Sequence, residues 1–152
     1  HHVSLIHNDF KYDNLILSPD DWTTVSAVLD WEMATIGDPL MDLGTSLGYW
    51  INPGDPGDMK GLQFTPSHLP GNLTREDIIH QYELKTGRTM ENPVFYYVYG
   101  LLKIAVIIQQ IYYRYQQGLT QDPRFASLLT TIKQISIIAE QAIKRNKIDN
   151  LI

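Results

Sequence analysis

The chain has 152 residues, 43% of them hydrophobic, which is enough to bury one core. A formal net charge of -5 leaves no basic footprint for nucleic acid, so a nucleic-acid-binding role is not expected. With no cysteine there is neither a disulfide frame nor a thiolate zinc site, and the absence of a visible apolar leader favours a cytoplasmic setting.

Near the start, His7-Asn8-Asp9-Phe10-Lys11-Tyr12-Asp13-Asn14 sets Asp9 and Asn14 five positions apart. This is the H-x-D-x-x-x-x-N spacing in which an Asp receives the proton of a substrate hydroxyl and an Asn holds a magnesium ion. The apolar runs Asn14 to Leu17 and Val25 to Asp30, separated by Ser18-Pro19-Asp20-Asp21, predict a hairpin that carries the site. Asp30, at the end of its second strand, is the candidate ligand for the metal that bridges the phosphates. A triphosphate resists attack by a hydroxyl because both are electron-rich. Hard cations held by carboxylate and amide oxygens offset that repulsion, and phosphates and water complete the octahedron. His7 is expected to brace the backbone of the loop rather than to move protons. Lys11 either neutralises phosphate charge or is a solvated side chain.

Asp38 followed by Pro39 predicts a helix start, with Leu40, Leu43, Leu47 and Trp50 at helical spacing. Asp38 reads as its cap, and Asp42 as an anchor that accepts N-H groups of the catalytic loop. Pro53, Pro56, Pro66 and Pro70 with Gly54, Gly57, Gly61 and Gly71 predict a long irregular insertion, a common place for substrate contacts. Thr74-Arg75-Glu76-Asp77 opens a further helix in capping-box style, with Asp in the place of the usual Glu, running to Gly87.

Asn92-Pro93 starts the next helix, whose segment from Val94 to Ile108 is apolar nearly all round. At about 15 residues it falls short of the roughly 20 that cross a bilayer, so a buried central helix is expected. Tyr96, Tyr97, Tyr99, Tyr112, Tyr113 and Tyr115 read as core packing in preference to an aromatic acceptor pocket. A last helix from about Pro123 to Lys147 carries Phe125, Leu128, Leu129, Ile132, Ile135, Ala139, Ala142 and Ile143 along one face. His68 and His80 have no partner at ligand spacing, and neither is assigned to a metal.

The catalytic run, together with Leu29-Asp30-Trp31-Glu32-Met33-Ala34-Thr35-Ile36-Gly37-Asp38-Pro39 and the continuation Leu40-Met41-Asp42-Leu43-Gly44, resembles the aminoglycoside phosphotransferase or choline-kinase-like family. The string from Leu29 to Pro39 looks closest to phosphotransferases related to the kinase domains fused to some acyl-CoA dehydrogenases. The resemblance implies a mainly α chain with a small β-hairpin at the active site, the C-terminal lobe of a protein-kinase-like α+β fold. It implies magnesium, ATP or GTP as co-substrate, and a small-molecule hydroxyl acceptor such as a hydroxyacyl-CoA, an aminoglycoside, a choline-like molecule or a sugar. In its terms Asp9 is the base, Lys11 assists at the phosphate, Asn14 and Asp30 hold metal and nucleotide, and His7, Asp38 and Asp42 support the site.

The same resemblance divides the chain into catalytic and metal motifs over 1–50, an irregular insertion over 51–73 and a helical subdomain over 74–147. It makes residues 1–152 one lobe whose N-terminal nucleotide lobe is missing from this chain, so the fragment alone is expected to be poorly active, with no membrane partner. Two positions depart from the family pattern: Asn8 replaces its usual Gly, and Trp31-Glu32 replaces the Phe-Gly of protein kinases. Asn tolerates a left-handed backbone, and Trp31-Glu32 argues for small-molecule substrates. A non-catalytic pseudokinase or interaction module and a metal-dependent phosphate hydrolase stand as the alternatives.

Overall fold

The computed structural model describes residues 3–55 and 65–151. Four three- or four-residue strands lie in the first part of the chain: β1 (Ser4–Ile6), β2 (Leu15–Leu17), β3 (Val25–Val28) and β4 (Thr35–Gly37). β2 and β3 form the hairpin expected from the sequence, antiparallel, with Leu15 opposite Val28. Asp21 closes its turn by accepting from the Thr23 amide and from the hydroxyls of Thr23 and Thr24. β1 and β4 form a second antiparallel pair, with Leu5 opposite Ile36. Sequence reading misses this pair because three residues are too few to show a period of two.

Four helices complete the described fold: α1 (Pro39–Tyr49), α2 (Arg75–Thr86), α3 (Pro93–Gln116) and α4 (Leu128–Arg145). The chain is thus mainly α, with its strands gathered around residues 4–37. The caps follow from local chemistry. Asp38 accepts the Leu40 amide at 2.9 Å ahead of Pro39. Thr74 and Asp77 exchange both capping-box bonds, so the shorter Asp serves as Glu usually does. Gly87 ends α2 in the left-handed region at φ 67°, where a side chain is disfavoured.

Two expectations about the later helices need correction. α3 is 24 residues long and not about 15, because Gln109 to Gln116 continue it with polar and aromatic residues. By length and composition alone it could cross a membrane, so its supposed shortness is no argument. The support for a central helix is packing: Tyr97, Leu101, Ile104 and Ile108 are buried with Leu47 of α1 and with Ile135, Ile138 and Ala142 of α4. Tyr97 lies in that core and the partly buried Tyr96 packs against it, whereas Tyr113 is exposed. α4 begins only at Leu128, after a 3-10 turn over Pro123–Ser127 capped by Asp122. Leu129 and Ile143 flank its buried stripe and are exposed.

α1 and α3 approach unusually closely. A Cβ on Gly100 would lie 2.1 Å from the Gly44 carbonyl oxygen, and one on Gly44 would lie 2.3 Å from the Tyr96 carbonyl oxygen. Between α1 and α2, Thr65 and Ser67 are buried and bond the backbone of Tyr49 and Ile51. Pro56, Gly57 and Gly61 of the expected insertion, like His1 and His2, lie outside the described residues.

A buried ionic clamp joins distant parts of the chain. Arg75, fully buried at the start of α2, pairs with Asp55 and Asp149 and donates to the carbonyls of Trp50 and Ile148. Its guanidinium also lies 4.8 Å from the ring centre of Tyr97. The side chain of Asn52 joins Asp149 to the Arg75 amide. A charge removed from water is tolerated only when it is paired and fully hydrogen-bonded, and this set meets that condition.

Candidate active site

The loop between β1 and β2 carries Asp9, and its shape is set from outside. Asp42, on the first turn of α1, accepts the amide of His7 at 2.7 Å and that of Asn8 at 2.8 Å. Asn8 takes φ 68°, in the left-handed region. Its side-chain nitrogen donates to the Met33 carbonyl at 2.9 Å, while its own carbonyl and side-chain oxygens accept from Lys103 at 2.6 and 3.0 Å. A non-glycine residue held there costs on the order of 1 kcal/mol or more and persists only when its surroundings over-determine it.

His7 is buried and has both ring nitrogens engaged. The Asp9 amide donates to Nδ1 at 3.2 Å, so the ring hydrogen sits on Nε2 and donates to the Leu29 carbonyl at 2.7 Å. The ring also stacks at a tilt on Trp31, with centroids 4.7 Å apart. A histidine so occupied orients its neighbours and has no lone pair to offer a substrate.

The Asp9 carboxylate is fixed from three sides. Tyr49 donates to Oδ1 at 3.0 Å, while Lys11 at 2.8 Å and Asn14 at 3.3 Å donate to Oδ2. The Asn14 amide nitrogen also donates to the Asp9 backbone carbonyl at 2.8 Å. Both bonds use nitrogen, which leaves the Asn14 amide oxygen as the atom to meet a hard cation. Tyr49 is buried and its hydroxyl pKa is pushed well up, first by burial and then by the negative charge of Asp9.

Asp30 is tied to the same loop through Leu29. The Leu29 amide donates to the Asn14 carbonyl at 2.8 Å, and the Leu29 carbonyl accepts from His7. The chain then turns at Asp30 with φ 67° into a 3-10 turn over Trp31–Met33. The Asp30 carboxyl caps no helix and is exposed. Asn14, just before β2, and Asp30, just after the paired β3, are thus two oxygen donors of the kind magnesium prefers, and two protein ligands plus phosphates fit that ion better than a full cage does. Among the described residues no group of three or more His, Asp or Glu side chains could hold a metal alone.

Asp38 stands one helical turn from Asp42 and also accepts from the Tyr96 hydroxyl at 3.4 Å. Two residues at the loop escape sequence reading. Tyr49 passes for a core aromatic, 40 residues from the carboxylate it binds. Lys103 sits 95 residues from Asn8, and its only mark in the sequence is a lone cation in an apolar stretch. Burial lowers its amine pKa, while Asp42 and Asp9 pull the other way. A cavity of about 380 Å³ adjoins the loop, walled by Phe10, Tyr12, Leu43, Trp50 and Ile78, and Lys11 and Tyr49 reach it.

Comparison with known proteins places this geometry. Residues 1–75 match the model of the phosphotransferase enzyme family. The chain is 35% identical over 118 residues to acyl-CoA dehydrogenase family member 10 of Mus musculus, covering 76% of this chain and 11% of that protein. It is 32% identical over 147 residues to family member 11 of the same species, covering 93% of this chain and 18% of that protein. A crystal structure described as a candidate aminoglycoside phosphotransferase from Ralstonia eutropha JMP134 superposes with a TM-score of 0.71 at 28% identity. It covers 88% of this chain and 40% of its own. The chain therefore spans less than a fifth of these curated relatives and under half of the solved structure. The mainly α architecture, with its hairpin at the catalytic loop, is that of the C-terminal lobe of a kinase-like fold. Residues 1–75, which hold Asp9, Asn14, Asp30 and Asp42, are the part of the chain that matches the phosphotransferase enzyme family.

Proposed function

We propose that this chain supplies the catalytic loop and metal ligands of a phosphotransferase that moves the γ-phosphate of ATP or GTP to a hydroxyl of a small molecule. The observation that carries the reading is the join between the two motifs. Asn14 bonds Asp9 through its side chain and Leu29 through its backbone, so base and metal ligands share one hydrogen-bonded frame. Asp9 accepts the acceptor's hydroxyl proton as the new O–P bond forms and the bond to the leaving diphosphate breaks. Lys11, bonded to Asp9, offers a positive charge to the phosphoryl oxygens. Asn14 and Asp30 would hold magnesium, which when bound offsets charge on the phosphates. His7, Asp38 and Asp42 keep the loop in place. The part of the kinase-like fold that covers the nucleotide is expected from a separate N-terminal lobe.

The names of the relatives favour an acceptor carried on coenzyme A, and a hydroxyacyl-CoA is the first to try, ahead of aminoglycosides, choline-like molecules and sugars. Phosphorus NMR of the full-length protein with ATP, magnesium and a panel of such acceptors tests the reading. The expected result is a new phosphate-ester signal that needs one acceptor and falls roughly 10²- to 10⁴-fold in rate in Asp9→Asn. Phosphate release without an acceptor, or transfer that Asp9→Asn leaves intact, would overturn it.

A further inference from the structure

We propose that Lys103, on α3, is a positioning residue for the catalytic loop: it locks the left-handed Asn8 and so aims Asp9. The inference rests on the phosphotransferase reading for its kinetic consequence, but the lock itself stands on geometry. Every polar group of Asn8 is engaged. Asp42 takes its amide, Met33 takes its side-chain nitrogen, and Lys103 takes both of its oxygens. Lys103 is the contribution of α3 to that set, and it reaches the loop because of the close helix crossing. Tyr96, Gly100 and Lys103 lie on one face of α3, four and then three residues apart, where side chains line up. Tyr96 touches Asp38, Gly100 meets Gly44, and Lys103 meets Asn8.

The chemistry explains why a lysine serves here. The ammonium has three donors and no acceptor, so one group can bind the Asn8 carbonyl and side-chain oxygen together. Both Asp42 and Asp9 interact favourably with its charge. At this position a glycine would adopt the left-handed backbone without strain. Asn8 needs holding, and in return its side chain ties the catalytic loop to the metal loop at Met33. Lys103 and Asn8 are therefore coupled, and neither touches the reacting atoms.

The test is a double-mutant cycle in the full-length protein with Lys103→Met, Lys103→Arg, Asn8→Gly and Lys103→Met/Asn8→Gly. It is read by kcat and KM for ATP and by amide hydrogen exchange of the peptide spanning residues 7–14. A small misplacement of a reacting group can cost up to about 10²-fold. Lys103→Met is expected to lower kcat toward that limit with KM little changed, and to speed exchange in residues 7–14 while α4 stays protected. Lys103→Arg restores part of kcat, and the Lys103→Met loss shrinks in the Asn8→Gly background. An unchanged loop exchange in Lys103→Met, exchange raised equally throughout the core, or the same kcat loss in both backgrounds would overturn the lock. If the wild type transfers no phosphate, the functional reading fails, and the exchange measurements still decide whether Lys103 holds the loop.

Discussion

At the scale of single residues, the site holds one carboxylate still. Asp9 receives hydrogen bonds from Lys11 and Asn14 of its own loop and from Tyr49 at the end of α1, so its oxygens point in fixed directions before any substrate arrives. Preorganised groups of this sort spare the reaction the cost of reorienting them. Tyr49 bears a consequence that can be measured. Its hydroxyl and that of Tyr97 both have strongly raised pKa values, from burial in each case and, for Tyr49, also from the Asp9 charge. A raised value favours the protonated form in the folded state, so this part of the stability is fully present below pH 10.0 and is lost as pH rises beyond it. Ultraviolet titration should show a subset of the nine tyrosines ionising only as the protein unfolds in alkali. Replacing Tyr49 by Phe should reduce that subset. Ionisation of all nine near pH 10 with the fold intact would contradict this.

The residues that spacing could name are those close in sequence. Asp9, Lys11 and Asn14 share one loop whose length fixes their relation, and Asp38 and Asp42 share a helix turn; the structure groups each set as drawn above. Tyr49 and Lys103 reach the loop only through tertiary packing, which no local pattern encodes. Asn8 shows the middle case. Its tolerance of a left-handed backbone is readable from residue type, and φ 68° agrees, but the three partners that hold it there, Asp42, Met33 and Lys103, are not readable.

Among the elements, the decisive contact is the crossing of α1 and α3. Gly44 and Gly100 let the two backbones meet, which brings Tyr96 to Asp38 and Lys103 to Asn8. Gly100→Ala should therefore destabilise the fold by about 1–3 kcal/mol in urea denaturation, as overpacking does, although alanine is the better helix former by about 1 kcal/mol. A variant as stable as the parent, or more so, would show that the crossing has slack. Caps and the hairpin were legible because Asp38-Pro39, Thr74 with Asp77, and the turn before β3 act over a few residues. The extent of α3 and the start of α4 were not, because polar residues continue a helix as readily as apolar ones and a 3-10 turn shares much of the same pattern.

For the molecule as a whole, two joints between the helical part and the catalytic part stand out among the described residues. The glycine crossing is one joint, and the clamp of Arg75, Asp55 and Asp149 is the other, tying the segment after α1 to the start of α2 and to the segment after α4. Together they give the loops between β1 and α1 a rigid base, as sites built on rigid elements require. At that base we propose a division of labour: Asp9 would take the proton, while Asn14 and Asp30 would hold the metal. The direct test is a magnesium titration of the phosphoryl-transfer rate in the full-length wild type, Asp9→Asn and Asp30→Asn. Asp9→Asn should lower the plateau and leave the half-saturating magnesium concentration where it was, whereas Asp30→Asn should move that concentration upward. A shift of the magnesium midpoint by Asp9→Asn, or an unmoved midpoint in Asp30→Asn, would contradict the account.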